Sequence, residues 1–306
     1  MGAIFFGMNK IIKPNFIIIG AMKAATTSLY TYLKQHPDVF MTSIKEPMFF
    51  NSLNTENDFV LKGRKTKKIT SFEEYYSLFK KAENETAIGE ASPAYISNNS
   101  CAKLIKEHLP NTKIIAILRQ PVERAYSNFL HAKRADREPI ENFEEALIAE
   151  EKRIDENWSP LYHYKTKGHY YQQLKRYFDL FPKNQIKVIL FKDIISNPQK
   201  VSKEVFDFLE VDNSFTPNTS KKANVSGSPS GFLGWIIMKM RRNNLIPNIE
   251  FSKYLPSFLT KIILSSIYTK PEKLSKELIK KLTNLHYKED IKKLENLIKI
   301  DLSHWL

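Results

Sequence analysis

The run Phe16-Ile17-Ile18-Ile19-Gly20-Ala21-Met22-Lys23-Ala24-Ala25-Thr26-Thr27-Ser28-Leu29 constrains this chain more than any other segment. The apolar residues before Gly20 read as a buried strand, and the glycine marks a tight turn. Thr26, Thr27 and Ser28 open a helix that continues through Leu29, Tyr32 and Leu33. A strand that turns straight into a helix aims unbonded N–H groups and the positive end of the helix dipole at one point. Such a point holds anions, phosphate esters among them. Lys23 adds a full positive charge inside the turn. The plain alternative is an ordinary strand–helix turn capped by threonine.

The spacing is close to a P-loop and fails its test. Counting from Gly20, Ala25 stands where the second glycine belongs and Thr26 where the lysine belongs. A dinucleotide fingerprint, Gly-x-Gly-x-x-Gly, is also missing. A second strand–turn–helix unit follows later. Lys113-Ile114-Ile115-Ala116-Ile117-Leu118 reads as a strand, Arg119-Gln120-Pro121 ends it, and Val122 through His131 reads as a helix with proline near its start. Arg119 therefore stands just outside the carboxyl end of a strand, where open α/β sheets bind ligands. Ser127 lies roughly two helical turns further on and is able to offer a hydroxyl to the same anion.

Together, Gly20-x-x-Lys23-x-x-Thr26-Thr27-Ser28-Leu29 and Leu118-Arg119-x-Pro121-x-x-Arg124-Ala125-Tyr126-Ser127 resemble the sulfotransferases that use 3′-phosphoadenosine 5′-phosphosulfate. The likeness is nearest to the heparan-sulfate-type and bacterial carbohydrate branch. It continues through Gly168-His169-Tyr170-Tyr171, Phe181-Pro182, the strand Ile186 to Leu190, Asn197-Pro198, and the tail from Tyr287 to Trp305. The resemblance implies that Lys23, Ala24, Ala25, Thr26, Thr27 and Ser28 hold the 5′-phosphosulfate. It implies that Arg119 and Ser127 hold the 3′-phosphate. It also implies a late loop over the nucleotide, for which Lys222, Asn224 and Ser226 are the candidates. In the glycosaminoglycan branch a disulfide ties that loop; here Cys101 is the single cysteine.

Between the two anion sites lies Lys45-Glu46-Pro47-Met48-Phe49-Phe50. An acceptor hydroxyl or amine loses a proton as it attacks sulfur, and a carboxylate in reach takes it. By the resemblance Glu46 is that base, and its aromatic neighbours suggest a partly dry pocket that raises its pKa. Lys23 is the expected stabiliser of the leaving group, through fixed positive charge at the bridging oxygen. No metal is required on this reading. Glu90-Ala91-Ser92-Pro93-Ala94-Tyr95 is similar to a Glu-Lys-Ser/Thr-Pro-x-Tyr segment of the glycosaminoglycan branch, with Ala91 in place of the lysine. That change argues against a glycosaminoglycan acceptor. Ser92, Tyr95 and His131 are the candidates for the acceptor side.

The net charge of +14 calls for an acidic partner, and the scatter of the lysines without a recognised motif argues against nucleic acid. The lone cysteine fits a reducing compartment. No run approaches the roughly 20 apolar residues of a membrane span. A cytoplasmic location is the expectation. Strands fall near 16–19, 39–41, 86–89, 114–118 and 186–190. Helical patterns fall near 26–35, 72–81, 100–108, 122–134, 143–153, 169–180, 199–209, 272–283 and 288–299. The expected fold is α/β, a P-loop-like three-layer arrangement with a central parallel sheet flanked by helices and a helical C-terminal extension. The expected organisation is one domain over 1–306, with a core over 14–230, an apolar and basic segment over 231–270, and C-terminal helices over 271–306. The middle segment is either a lid or a surface that lies on an anionic membrane, there to present a lipid-linked sugar. The acceptor expected is a carbohydrate or glycolipid. A kinase with a degenerate P-loop and a non-catalytic basic binding protein are the alternatives.

Overall fold

Five apolar runs become the strands of one parallel sheet: β1 Phe16–Gly20, β2 Val39–Met41, β3 Ala87–Ala91, β4 Lys113–Leu118 and β5 Ile186–Leu190, in the order β2-β3-β1-β4-β5. The computed structural model describes residues 11–53, 69–135, 137–220, 228–229, 268–269 and 273–306. β1 is buried along its whole length and β4 beyond its first residue, as expected of central parallel strands covered on both faces. Phe16 stands opposite Gly89 of β3 and Lys113 of β4, and Leu118 opposite Leu190 of β5. The expected α/β three-layer fold is therefore present, as is its helical C-terminal part.

From β1 the chain passes by α1, Thr26–Leu33, to the β2–β3 side of the sheet. From β4 it passes by α5, Pro121–Arg134, to β5 on the other side. The carboxyl ends of β1 and β4 thus flank the point where the connections diverge, and ligands of open sheets bind there. The remaining helices flank the sheet: α2 Phe49–Ser52, α3 Phe72–Ser77, α4 Cys101–His108, α6 Phe143–Ile148, α7 Glu150–Asp155, α8 Tyr170–Leu180, α9 Phe191–Ser196, α10 Pro198–Leu209, α11 Lys276–His286 and α12 Lys288–Ile298. Local chemistry sets several starts. The Gln120 side chain accepts from the Glu123 N–H with Pro121 at the first position of α5, and the Asn197 side chain accepts from the Lys200 N–H with Pro198 opening α10.

Three sequence expectations shift. The pattern over 143–153 is two helices, which meet at Ala149, and the short helices α2 and α9 were not foreseen. Cys101 is buried, and burial pushes its thiol up, away from the reactive thiolate. Ser228–Pro229 pairs antiparallel with Tyr268–Thr269. Lys222, Asn224, Ser226 and the segment 231–267 lie outside the described residues. No helix among the described residues is long and apolar enough to cross a membrane.

Candidate active site

In the turn after β1 the Ala21 N–H donates to the Ile117 carbonyl, the Ala24 N–H to the Ala21 carbonyl and the Ser28 N–H to the Ala25 carbonyl, and side chains take no part. Ala25 is the residue before α1, in the left-handed region at φ 67°, and no side chain caps the helix. The threonine cap of the plain alternative is absent: the Thr31 hydroxyl donates back to the Thr27 carbonyl, and Thr26 and Ser28 are buried. Lys23 is also left-handed, at φ 68°. Each such residue costs free energy that the surroundings must offset, and functional turns are where that cost is met. Gly20 has a simpler reason. A Cβ there would lie 2.4 Å from Ile96 Cγ2, so only glycine lets the segment after β3 close over the end of β1.

Arg119 reaches this turn from β4. Its Nη1 donates to the Lys23 carbonyl at 3.4 Å, its Nε pairs with Glu123 at 3.3 Å, and its guanidinium lies 4.4 Å from the centre of the Phe191 ring. Side chains from α8 and α11 lock the loop. Tyr170 Oη donates to the Arg119 carbonyl at 2.9 Å, and Gln120 Nε2 donates to Thr283 Oγ1 at 2.6 Å. A cavity of about 390 Å³ opens beside Arg119, walled by Phe191, Ile195 and Trp305.

The electrostatics show what the turn is shaped for. Burial lowers the Lys23 ammonium to about 8, and Arg134, Arg119 and Lys45 add to the effect while Glu46 opposes it. Dense surroundings, then Lys23, Arg134 and Arg137, hold the His131 imidazole down to about 4, although its edge is exposed at the rim. Arg119 pairs with Glu123 and Lys45 with Glu46, yet cations crowded this closely repel one another, and a ligand anion that joins them relieves that cost. Lys45 and Arg134 were missing from the sequence candidates. Ser127, His131 and Arg134 follow one another at helical spacing along α5, which was the legible signal for Arg134.

Glu46 faces the same cluster, but its setting differs from the expectation. Its backbone is left-handed at φ 60° and its N–H donates to the Ala91 carbonyl at 3.0 Å. Its carboxylate is 43% exposed and pairs with Lys45. Phe49 and Phe50 turn into the core instead of drying it, stacking around Tyr75. Ser92 and Tyr95 are fully buried, so neither is a wall of an open acceptor cleft. Both hydroxyls donate to the buried Glu90 carboxylate, at 2.7 Å and 2.8 Å. Both also accept from the segment after Glu46, Ser92 Oγ from the Met48 N–H at 3.0 Å and Tyr95 Oη from the Phe50 N–H at 3.4 Å. Ala91, at the lysine position of the glycosaminoglycan pattern, is buried as well.

Residues 14–217 match the sequence profile described as "Sulfotransferase family". The chain belongs to the sulfotransferase family. It is therefore a transferase enzyme, and the kinase alternative finds no support. A sulfotransferase of known structure from Alicyclobacillus acidocaldarius is 31% identical, with a TM-score of 0.73 over 96% of this chain and 99% of that one. The membrane-associated sulfotransferase kil1 of Dictyostelium discoideum is 31% identical over 65% of this chain and 56% of its own length. The human bifunctional heparan sulfate N-deacetylase/N-sulfotransferase 3 is 28% identical over 65% of this chain and 22% of its own. The chain thus spans about half or less of the length of these curated relatives.

Proposed function

We propose that this sulfotransferase moves a sulfuryl group from 3′-phosphoadenosine 5′-phosphosulfate to a hydroxyl, or less readily an amine, of a carbohydrate or glycolipid. The observation that carries the proposal is the cation cluster over an uncapped helix. Lys23 and Arg119 converge at the start of α1, whose first-turn N–H groups have no side-chain cap. Thr26, Thr27 and Ser28 with those N–H groups would hold the 5′-phosphosulfate, and Arg119 with Ser127 the 3′-phosphate. The donor supplies an activated sulfuryl group. Lys23, half desolvated and at the turn's centre, stabilises negative charge that develops on the departing oxygen. Glu46, exposed on the same side of the cleft, takes the acceptor's proton.

The names of the heparan sulfate relatives support a carbohydrate acceptor. The buried Ala91 in place of a lysine favours one less acidic than a glycosaminoglycan. The membrane-associated relative and the apolar, basic sequence of 231–268 support peripheral contact with an anionic membrane.

The donor site is tested by calorimetry with adenosine 3′,5′-bisphosphate against ATP with Mg²⁺. Wild type binds the bisphosphate selectively without metal, and Arg119→Ala weakens it by roughly ten- to a hundredfold, the loss of one charge-assisted phosphate contact. Preference for ATP with Mg²⁺, or no binding of the bisphosphate, overturns the donor assignment.

A further inference from the structure

The turn that carries Lys23 rests on a second lysine with no part in the scheme above. Lys167 lies in the short 3-10 turn Thr166–Gly168 and is only 8% exposed. Its Nζ is 3.4 Å from Sδ of Met22, the residue just before Lys23. A thioether is a weak acceptor for an ammonium. The charged and titratable groups facing Lys167 are Arg124 on α5, Glu150 on α7 and His163 in the approach to its own turn. Glu150 is already engaged by the Lys165 N–H, the Thr166 N–H and the Thr166 hydroxyl. Arg124 is fully buried, donates from Nη2 to the Tyr164 carbonyl, and has no partner for Nε or Nη1 among the described residues. Two buried cations therefore sit together between the β1–α1 turn and α5, the two elements that bear the anion site. Burial first, and then Arg124, hold the Lys167 ammonium down to about 7.

We propose that Lys167, buried beneath the β1–α1 turn beside Met22 and Arg124, is a proton-linked counter-charge for the donor nucleotide that takes up a proton when a 3′,5′-bisphosphorylated nucleoside settles over that turn. The inference rests on the donor assignment above. The proton comes from solvent and binds the Nζ lone pair, and no bond to the ligand forms or breaks. An anion overhead favours the charged form and raises the pKa in the complex above that of the free protein. The contribution of Lys167 to binding is then complete below the free-protein value of about 7 and is lost as pH rises through the higher value of the complex. Lys167 acts through the turn and its field, as a positioning and electrostatic residue.

The experiment is calorimetry of adenosine 3′,5′-bisphosphate in two buffers of different ionisation enthalpy, on wild type and Lys167→Met. At about pH 7.5 a group titrating near 7 is roughly three-quarters unprotonated, so wild type takes up on the order of half a proton through Lys167. Lys23, lowered to about 8, adds a smaller uptake that Lys167→Met leaves in place. The variant is expected to lose about half a proton of uptake and to bind about tenfold more weakly at pH values below about 7, with the gap closing above about pH 9. Methionine nearly matches the length of the lysine stem and suits the buried site, and Lys167→Gln serves if the first variant does not fold. A merely structural role would change affinity or stability without changing the proton count. Equal proton uptake by a wild type and variant that both bind overturns the proposal and leaves the donor assignment standing. Absence of bisphosphate binding by wild type overturns the donor assignment itself, and this inference with it.

Discussion

Glu46 and Glu90 lie close enough to repel each other at the sheet edge formed by β2 and β3, yet they meet opposite surroundings. Glu90 has no exposed surface and accepts from three hydroxyls, those of Ser92, Tyr95 and Tyr75. Glu46 is 43% exposed, with Lys45 as its ion-pair partner. Burial keeps this carboxylate out of a substrate's reach, and its work is structural. It orients Ser92 and Tyr95, which in turn hold the backbone at Met48 and Phe50. The exposed carboxylate is the one placed to meet a proton from outside. One acid builds the frame, and the other stands on it in a left-handed conformation that the frame enforces.

The largest effect that sharpens this contrast is on turnover. Glu46→Gln keeps the shape and removes the carboxylate proposed as the base, so sulfuryl transfer to a carbohydrate acceptor is expected to fall about 10²- to 10⁴-fold. Binding of adenosine 3′,5′-bisphosphate changes less than about twofold, and the denaturation midpoint stays put, since exposed pairs contribute about 0–1 kcal/mol. Turnover within a factor of about three of wild type removes Glu46 from the chemistry and breaks the contrast.

The next effect is on stability and belongs to Glu90. Burial, opposed by the three hydroxyls and aided by Glu46, raises its carboxyl to about 7. The folded state therefore keeps a proton that the unfolded chain gives up near its ordinary value of 4.5. The stabilising contribution is complete below that value and is lost as pH rises through about 7. Relative to Glu90→Gln, which cannot titrate, wild type should lose about 2–3 kcal/mol between about pH 4.5 and 8 in urea unfolding. A difference between the two that is flat with pH shows that Glu90 is ionised throughout, and its equivalence to a neutral frame member fails.

The strands and most helices were legible because their signals are local: apolar runs of strand length, Pro121 and Pro198 at helix starts, and residues such as Asn197 that cap from within the segment. The short helix α2 was not, because its N-terminal residue Met48 has no side-chain cap and is held by Ser92, far along the chain. The anion turn was read from Gly20, Lys23 and the threonines. Its left-handed Lys23 and Ala25 were hidden, since neither residue type announces positive φ. The resemblance put Ser92 and Tyr95 on the acceptor side, and the structure places them under the segment after Glu46. Their direction depends on Glu90 and on Tyr75, which comes from a separate helix, so no local pattern told a cleft wall from a buried clamp. Lys167 was hidden for the same reason, as its neighbours Met22 and Arg124 come from distant segments.

The smallest effect tests what holds Glu46. If the clamp through Ser92 and the Ala91 carbonyl fixes its backbone, the ion pair with Lys45 is secondary. Lys45 is 24% exposed and Glu46 more so, and water and salt weaken such pairs. Lys45→Met is then expected to shift unfolding by less than about 1 kcal/mol, with that shift fading at high ionic strength. Turnover should fall less than about tenfold, a loss that Lys45's interaction with Lys23 makes modest, because removing one of two neighbouring cations eases the ionisation of the other. A fall in turnover as deep as that of Glu46→Gln means that the ion pair, and not the buried frame, sets the position of the base. The two carboxylates would then be independent neighbours, and Glu90 would have no bearing on the reaction.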